Sequence, residues 1–209
     1  EGYERMKKAF AEADLDINDK INAYNRVANR IMSKTDKLDL IVELAKTNEE
    51  SAAANRAAAD ALFDVSRKKE GGSYLLKAKE LDPDNFNMSL DLVNAYYELK
   101  DFENLRKYAV EGADLYPSHN IFYLYAGIAF MELGDFNNAL IMLETGKSFA
   151  IGQGGIKTDF KLSLAELFYK MGEYTESDKV FEEVLALEPN NATALNNYAY
   201  FLSKRKARL

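Results

Sequence analysis

The chain has 209 residues, with 27 basic and 34 acidic side chains, a formal charge of −7, one histidine and no cysteine. Without cysteine there is no disulfide framework, thiolate zinc site, cysteine-ligated cluster or cysteine nucleophile, and one histidine leaves little for a histidine-based metal centre. The acidic balance repels phosphate backbones, and the apolar runs are too short to span a bilayer, so neither nucleic acid nor a membrane span is expected.

Three prolines and 11 glycines leave few breaks in the chain, which favours helix. Tyr3, Met6 and Phe10 mark the face of a first helix. Asn18 to Lys34 carries Ile21, Tyr24, Ala28 and Ile31 on one face, and Asp36 to Thr47 carries Leu38, Val42 and Ala45. These two stretches read as a diverged helix pair. The carboxylates Glu12, Asp14, Asp16 and Asp19 read as solvated helix surface and caps.

From Ala52 onward the chain repeats. Pro83 and Pro117 are 34 residues apart, and Pro189 follows after two more such units plus four residues. In phase with them run Lys100-Asp101-Phe102, Gly134-Asp135-Phe136 and Gly172-Glu173-Tyr174. In the last two, glycine tolerates the left-handed backbone that ends a helix. The aromatic then anchors the next helix, and the proline blocks further helix where its missing N–H costs nothing. Between the markers the apolar steps are three and four: Leu90, Val93, Tyr97; Ala126, Phe130, Leu133; Leu164, Phe168, Met171.

This pattern resembles the tetratricopeptide repeat (TPR). The unit from Asn120 supplies Tyr123, Ala126, Gly127, Phe130, Gly134, Ala139, Leu143 and Gly146 in the family's slots four, seven, eight, eleven, fifteen, twenty, twenty-four and twenty-seven, with Ile151 in the proline slot. The unit from Phe86 supplies Leu92, Tyr96, Leu105, Ala109, Gly112 and Pro117. The unit from Thr158 supplies Leu164, Ala165, Phe168, Gly172, Phe181, Val184 and Pro189. A degenerate unit from Ala52 keeps Ala58, Ala59, Leu62, Ala78 and Pro83, but its turn slots, Ser66-Arg67, do not match. A last, truncated unit holds Leu195, Tyr198, Ala199 and Leu202.

The resemblance implies an all-α, right-handed superhelical solenoid of antiparallel helix pairs with about twelve helices. Its expected organisation is a diverged helical part over 1–51 and a repeat array over 52–209, with units at 52–85, 86–119, 120–153, 158–191 and 192–209. The start at Glu1 and the end in Lys204-Arg205-Lys206-Ala207-Arg208-Leu209, with no helix stop signal, read as a fragment of a longer protein. Leu187 to Tyr200 resembles the bacterial style of the repeat, often found in proteins exported and tethered to the cell envelope. The compartment itself, cytoplasm included, is left open.

In this family, slots two, five, nine, twelve and thirteen of each first helix line a concave groove. The resemblance therefore implies a non-enzymatic scaffold that holds a protein or peptide segment there. The candidate contact residues are Asn94, Tyr97, Leu124, Ile128, Met131, Leu162, Tyr169, Asn196 and Tyr200. The unit from Asn120 is unusually apolar in these slots, with Ile121, Leu124, Ile128 and Met131. The competing reading is that these residues pack against adjacent first helices. Two alternative functions stand beside the scaffold: a self-assembly module that docks its own chain or a second copy, with the truncated repeat as the contact, and an accessory solenoid of a larger enzyme.

Other motifs are weaker. A chaperone-type carboxylate clamp needs lysine in slot five where Leu90 stands, so that activity is not carried over. Gly152-Gln153-Gly154-Gly155-Ile156-Lys157-Thr158 lacks the Gly-Lys-Ser/Thr order of a phosphate loop and reads as a long inter-repeat loop at the four-residue insertion. His119 reads as a surface turn residue. No cofactor, metal site or catalytic constellation is expected.

Overall fold

The computed structural model describes residues 2–12, 15–28, 32–150 and 154–205. Among these residues there are twelve α-helices and no strands. The chain divides into two compact units, 1–99 and 100–209.

The first unit contains α1 (Gly2–Ala11), α2 (Ile17–Ala23), α3 (Lys34–Thr47), α4 (Ala52–Asp64), α5 (Lys68–Leu81) and α6 (Phe86–Leu99). Met6 and Phe10 of α1 are buried against Leu40, Ile41 and Leu44 of α3. The stretch expected to be one helix from Asn18 to Lys34 is not. The α-helix ends at Ala23, and Tyr24–Ala28 form a turn of π-helix. Ser33 then caps a new helix, its Oγ accepting from the Asp36 N–H at 3.1 Å. The local reason is the cap: a serine that satisfies an orphan N–H favours a helix start at that point. Ile31 and Asp14 lie outside the described residues.

The second unit contains α7 (Phe102–Leu115), α8 (Asn120–Glu132), α9 (Phe136–Phe149), α10 (Gly154–Met171), α11 (Tyr174–Leu187) and α12 (Ala192–Lys204). Two caps repeat in phase: Asp101 and Asp135 each accept from the backbone N–H three residues on, at 3.2 Å. The core forms where small and large slots meet. A Cβ built on Gly127 would come within 2.5 Å of Leu143 Cγ, so α8 and α9 approach as closely as the sequence allows. The interface between successive pairs uses a second lock: Phe122 seats over Gly112, and Phe160 over Gly146.

The fifteenth slot is Ser66, Lys100, Gly134 and Gly172 in successive units. All four have positive φ: 62°, 56°, 82° and 83°. Ser66 therefore makes the same left-handed turn as the glycines, although its chemistry does not announce it.

The segment expected as a loop at the insertion differs too. Residues 154–158 belong to α10, which runs for 18 residues. Four residues are about one helical turn, so at least part of the insertion is absorbed by lengthening the helix. Residues 151–153 lie outside the described residues.

Candidate functional site: the inner slots of the first helices

The groove slots of the second unit divide sharply by exposure. Leu124 and Met131 are 7% and 3% exposed and belong to the core cluster with Leu143, Phe160, Leu164 and Leu167. Leu162, at 7%, packs with Phe181, Ala194 and Phe201. These leucines and the methionine serve the contact between adjacent first helices. Ile121 and Ile128 are half-buried at the edge of the same cluster.

Around Ile128 the surface turns polar. Lys170 bridges Glu132 at 2.6 Å and Glu166 at 3.6 Å. Burial, with Glu132 nearby, raises the Glu166 carboxyl above its ordinary value against the pull of Lys170. Tyr169 is half-buried, its ring stacked on Phe201 with centroids 4.1 Å apart. Tyr200 is 53% exposed and leans edge-on against Phe201, with the Lys204 ammonium over its ring. Asn196 is exposed. In the first unit, Asn94 is half-buried and Tyr97 is 44% exposed.

The first unit also holds a concave site missing from the sequence-derived set. A cavity of about 850 Å³ opens among α2, the π turn, α3, α4 and the start of α6. Its α4 wall includes Ala53, Arg56, Ala57, Asp60, Ala61 and Asp64. Ala53, Arg56, Asp60 and Asp64 are slots two, five, nine and thirteen of the degenerate unit. The same register that singles out Asn94 and Ile128 reaches them when started at Ala52. The sequence places this unit at 52–85 by its small and proline slots, but the groove candidates come only from the units that follow it.

The remaining walls are mostly polar: Asn18, Asn22 and Asn25 on one side, Lys34 and Lys37 at the start of α3, and Asp82 and Asn85 before α6. Arg56 is held by Asp91 at 2.6 Å. Burial raises the Asp60 carboxyl above its ordinary value, with Arg56 opposing and Asp91 and Asp64 adding to the rise. Burial and the Asp64 charge push the Tyr24 phenol upward in the same way.

The other motifs fall outside these sites. His119 is exposed at the start of α8, edge-on to Tyr116. Asp16 caps α2, accepting from the Asn18 N–H at 2.8 Å. Leu195 is 48% exposed, whereas Tyr198 stacks on Phe181 and closes part of the apolar face of the last helix. Lys206 and Arg208 lie outside the described residues. Among the described residues, no group of three or more acidic or histidine side chains is placed to hold a metal, and no helix is long and apolar enough to cross a membrane.

Helix pairs in 34-residue phase, small slots met by large ones, and a left-handed turn in slot fifteen are the features of the tetratricopeptide-repeat (TPR) solenoid, and the chain has that fold. Residues 162–207 match the family model of the tetratricopeptide repeat. Among solved structures, the fold is similar to YrrB, described as a TPR protein with an unusual peptide-binding site. That match has 15% identity and a TM-score of 0.73, over 94% of this chain and 99% of that one. It is also similar to MamA from Desulfovibrio magneticus RS-1, with 14% identity and a TM-score of 0.68, over 85% of this chain and 99% of that one. No curated protein sequence matches.

Proposed function

We propose that the chain is a non-enzymatic protein-interaction scaffold that holds a peptide or protein segment against the inner slots of its first helices. One observation carries this reading. Four residues of α4 that the repeat register assigns to the groove, Ala53, Arg56, Asp60 and Asp64, line one cavity of about 850 Å³. That volume suits a bound segment, and concave, part-apolar walls with a few polar groups are what ligand sites require. YrrB, of the same fold, is described as having a peptide-binding site. In the second unit the surface offered to a partner is narrower than its seven candidates. It consists of the edges of Ile128 and Tyr169 with the exposed Asn196 and Tyr200, aromatic anchors beside a polar rim.

The test is selection of a displayed peptide library on the immobilised chain, followed by comparison of three variants. Ala57→Trp fills the cavity, Tyr200→Glu spoils the second-unit surface, and Ile141→Glu changes a residue 59% exposed on a second helix. Peptides lost with Ala57→Trp or Tyr200→Glu and kept with Ile141→Glu support groove binding. Peptides kept by both groove variants, or no selected peptides, overturn it.

A second reading, self-association through α12, draws on a different observation. Slot eight is fully buried as Ala59, Val93 and Ala165, but its equivalent Ala199 is exposed beside Leu195. A sedimentation mass that rises with concentration and falls back with Leu195→Lys would favour it; a constant mass would remove it.

A further inference from the structure

We propose that the α4 cavity receives a lysine or arginine side chain of an extended partner segment, its charged head between the Asp60 and Asp64 carboxylates and its stem along Ala57 and Ala61. This rests on the scaffold reading and names the chemistry of what the scaffold holds.

The α4 side of the cavity carries Asp60 and Asp64, and the α3 side carries Lys34 and Lys37. Asp60 and Asp64 stand one helical turn apart and line the same space. Arg56, the basic residue of that wall, is already engaged by Asp91 at 2.6 Å. Among the described residues, Asp60 and Asp64 make no side-chain hydrogen bond or close ion pair, although the Arg56 charge acts on Asp60. Lys34 and Lys37 lie on the α3 wall, where they oppose a second cation. An incoming positive charge is therefore directed to the α4 side. The small methyl groups of Ala57 and Ala61 leave a shallow apolar track between the polar residues. A lysine or arginine side chain has the matching form, an apolar stem with a charged head.

A cationic guest would add to the partners of Asp60. Partial burial raises the Asp60 carboxyl; Arg56 opposes this, and Asp91 and Asp64 add to the rise, so a further cation beside Asp60 is favoured. A cation supplied by a partner pairs with two carboxylates that are both solvent-exposed, and the cavity walls fix where it sits. Tyr24, whose phenol is raised by burial and by Asp64, places an aromatic ring in the same lining, and aromatic faces also attract cations. The overall charge of −7 favours approach of a basic segment.

The test uses a positional-scanning array of acetylated, amidated nonapeptides probed with the full chain, followed by fluorescence anisotropy on the strongest binder. Wild type is expected to select lysine or arginine at one position. The isosteric pair Asp60→Asn with Asp64→Asn, folded by circular dichroism, is expected to lose that preference and weaken the binder by about tenfold. Asp60→Lys with Asp64→Lys is expected to move the preference at that position to aspartate or glutamate. Peptides that bind without a basic preference, or with one that survives the asparagine pair, overturn the inference and leave the scaffold reading standing. No peptide binding at all overturns both. Calcium chloride titrated alone is the remaining arm: heat on binding that vanishes in the asparagine pair reassigns the cavity to an inorganic cation and overturns the peptide assignment, whereas no heat upholds it.

Discussion

Phe160 occupies the space that a side chain at Gly146 would need: a Cβ on that glycine would come within 2.5 Å of Phe160 Cζ. The two residues hold slot twenty-seven of one unit and slot three of the next. The same slots carry Gly112 with Phe122, Ala78 with Met88, and Val184 with Ala194. As the first residue grows, the second shrinks, which is how a fixed spacing between helices is kept with different sequences. We expect Gly146→Val alone to cost about 1–3 kcal/mol by overpacking and Phe160→Ala alone about 3–5 kcal/mol. The double variant imitates Val184 with Ala194, so its cost should fall below the sum by about 0.5–3 kcal/mol. Denaturant unfolding of the four proteins measures this, and strict additivity would refute the lock.

The left-handed turn offers a gain in stability. Ser66 and Lys100 adopt φ of 62° and 56° in a slot that two other units fill with glycine. A side chain in that region costs about 1–2 kcal/mol, partly offset by the greater freedom that glycine gives the unfolded chain. Ser66→Gly and Lys100→Gly should each raise stability by roughly 0.5–1 kcal/mol. A lower melting temperature for either would contradict the turn assignment.

Asp60 should affect stability in a direction set by pH. Its carboxyl is raised in the folded chain by burial first, with Arg56 lowering it and Asp91 and Asp64 raising it. A carboxyl raised on folding contributes stability below its unfolded value, near pH 4, and withdraws that contribution as pH climbs through the folded value. Asp60→Asn should therefore melt higher than wild type at pH 7, and the difference should close as pH falls toward 3. An asparagine variant less stable at pH 7 would show that Arg56 and other contacts outweigh burial.

Leu124 and Tyr200 separate framework from surface within the candidate set. Leu124→Ala removes a side chain 7% exposed and should cost about 2–5 kcal/mol. Tyr200, 53% exposed, should change stability far less when replaced by alanine, with its ring contact to Phe201 as the main loss. Equal losses for the two would mean that Tyr200 is also a core residue.

These residues show what could be read from sequence. The helix pairs and their phase were legible because Pro83, Pro117 and Pro189 punctuate the chain and because small slots recur in step with large ones. The left-handed turn at Ser66 was not legible, since serine does not advertise a positive φ. The register of the unit at 52–85 was legible from Ala58, Ala59, Leu62, Ala78 and Pro83, but that Arg56, Asp60 and Asp64 line a cavity depends on α2 and α3 beside them, which the spacing within the unit does not record. The difference between Leu124 and Tyr97 was also out of reach. Both occupy groove slots, and burial of a first-helix side chain depends on the neighbouring first helix, which no local spacing records. The π turn at Tyr24–Ala28 breaks a face that had continuous helical spacing in the sequence.

The long α10 shows how this architecture can grow. Its extra length lies ahead of the slots that meet α11, and one whole turn of helix returns the chain to nearly the same angular position. Downstream, Ala165, Phe181 and Val184 remain in phase with their counterparts. Length variation at this junction is therefore quantised: additions of about one turn preserve the packing that follows, whereas one or two residues would rotate it out of step. The start of α10 is a natural insertion point where lineages, or protein engineers, can add material and leave the repeats beyond it unedited.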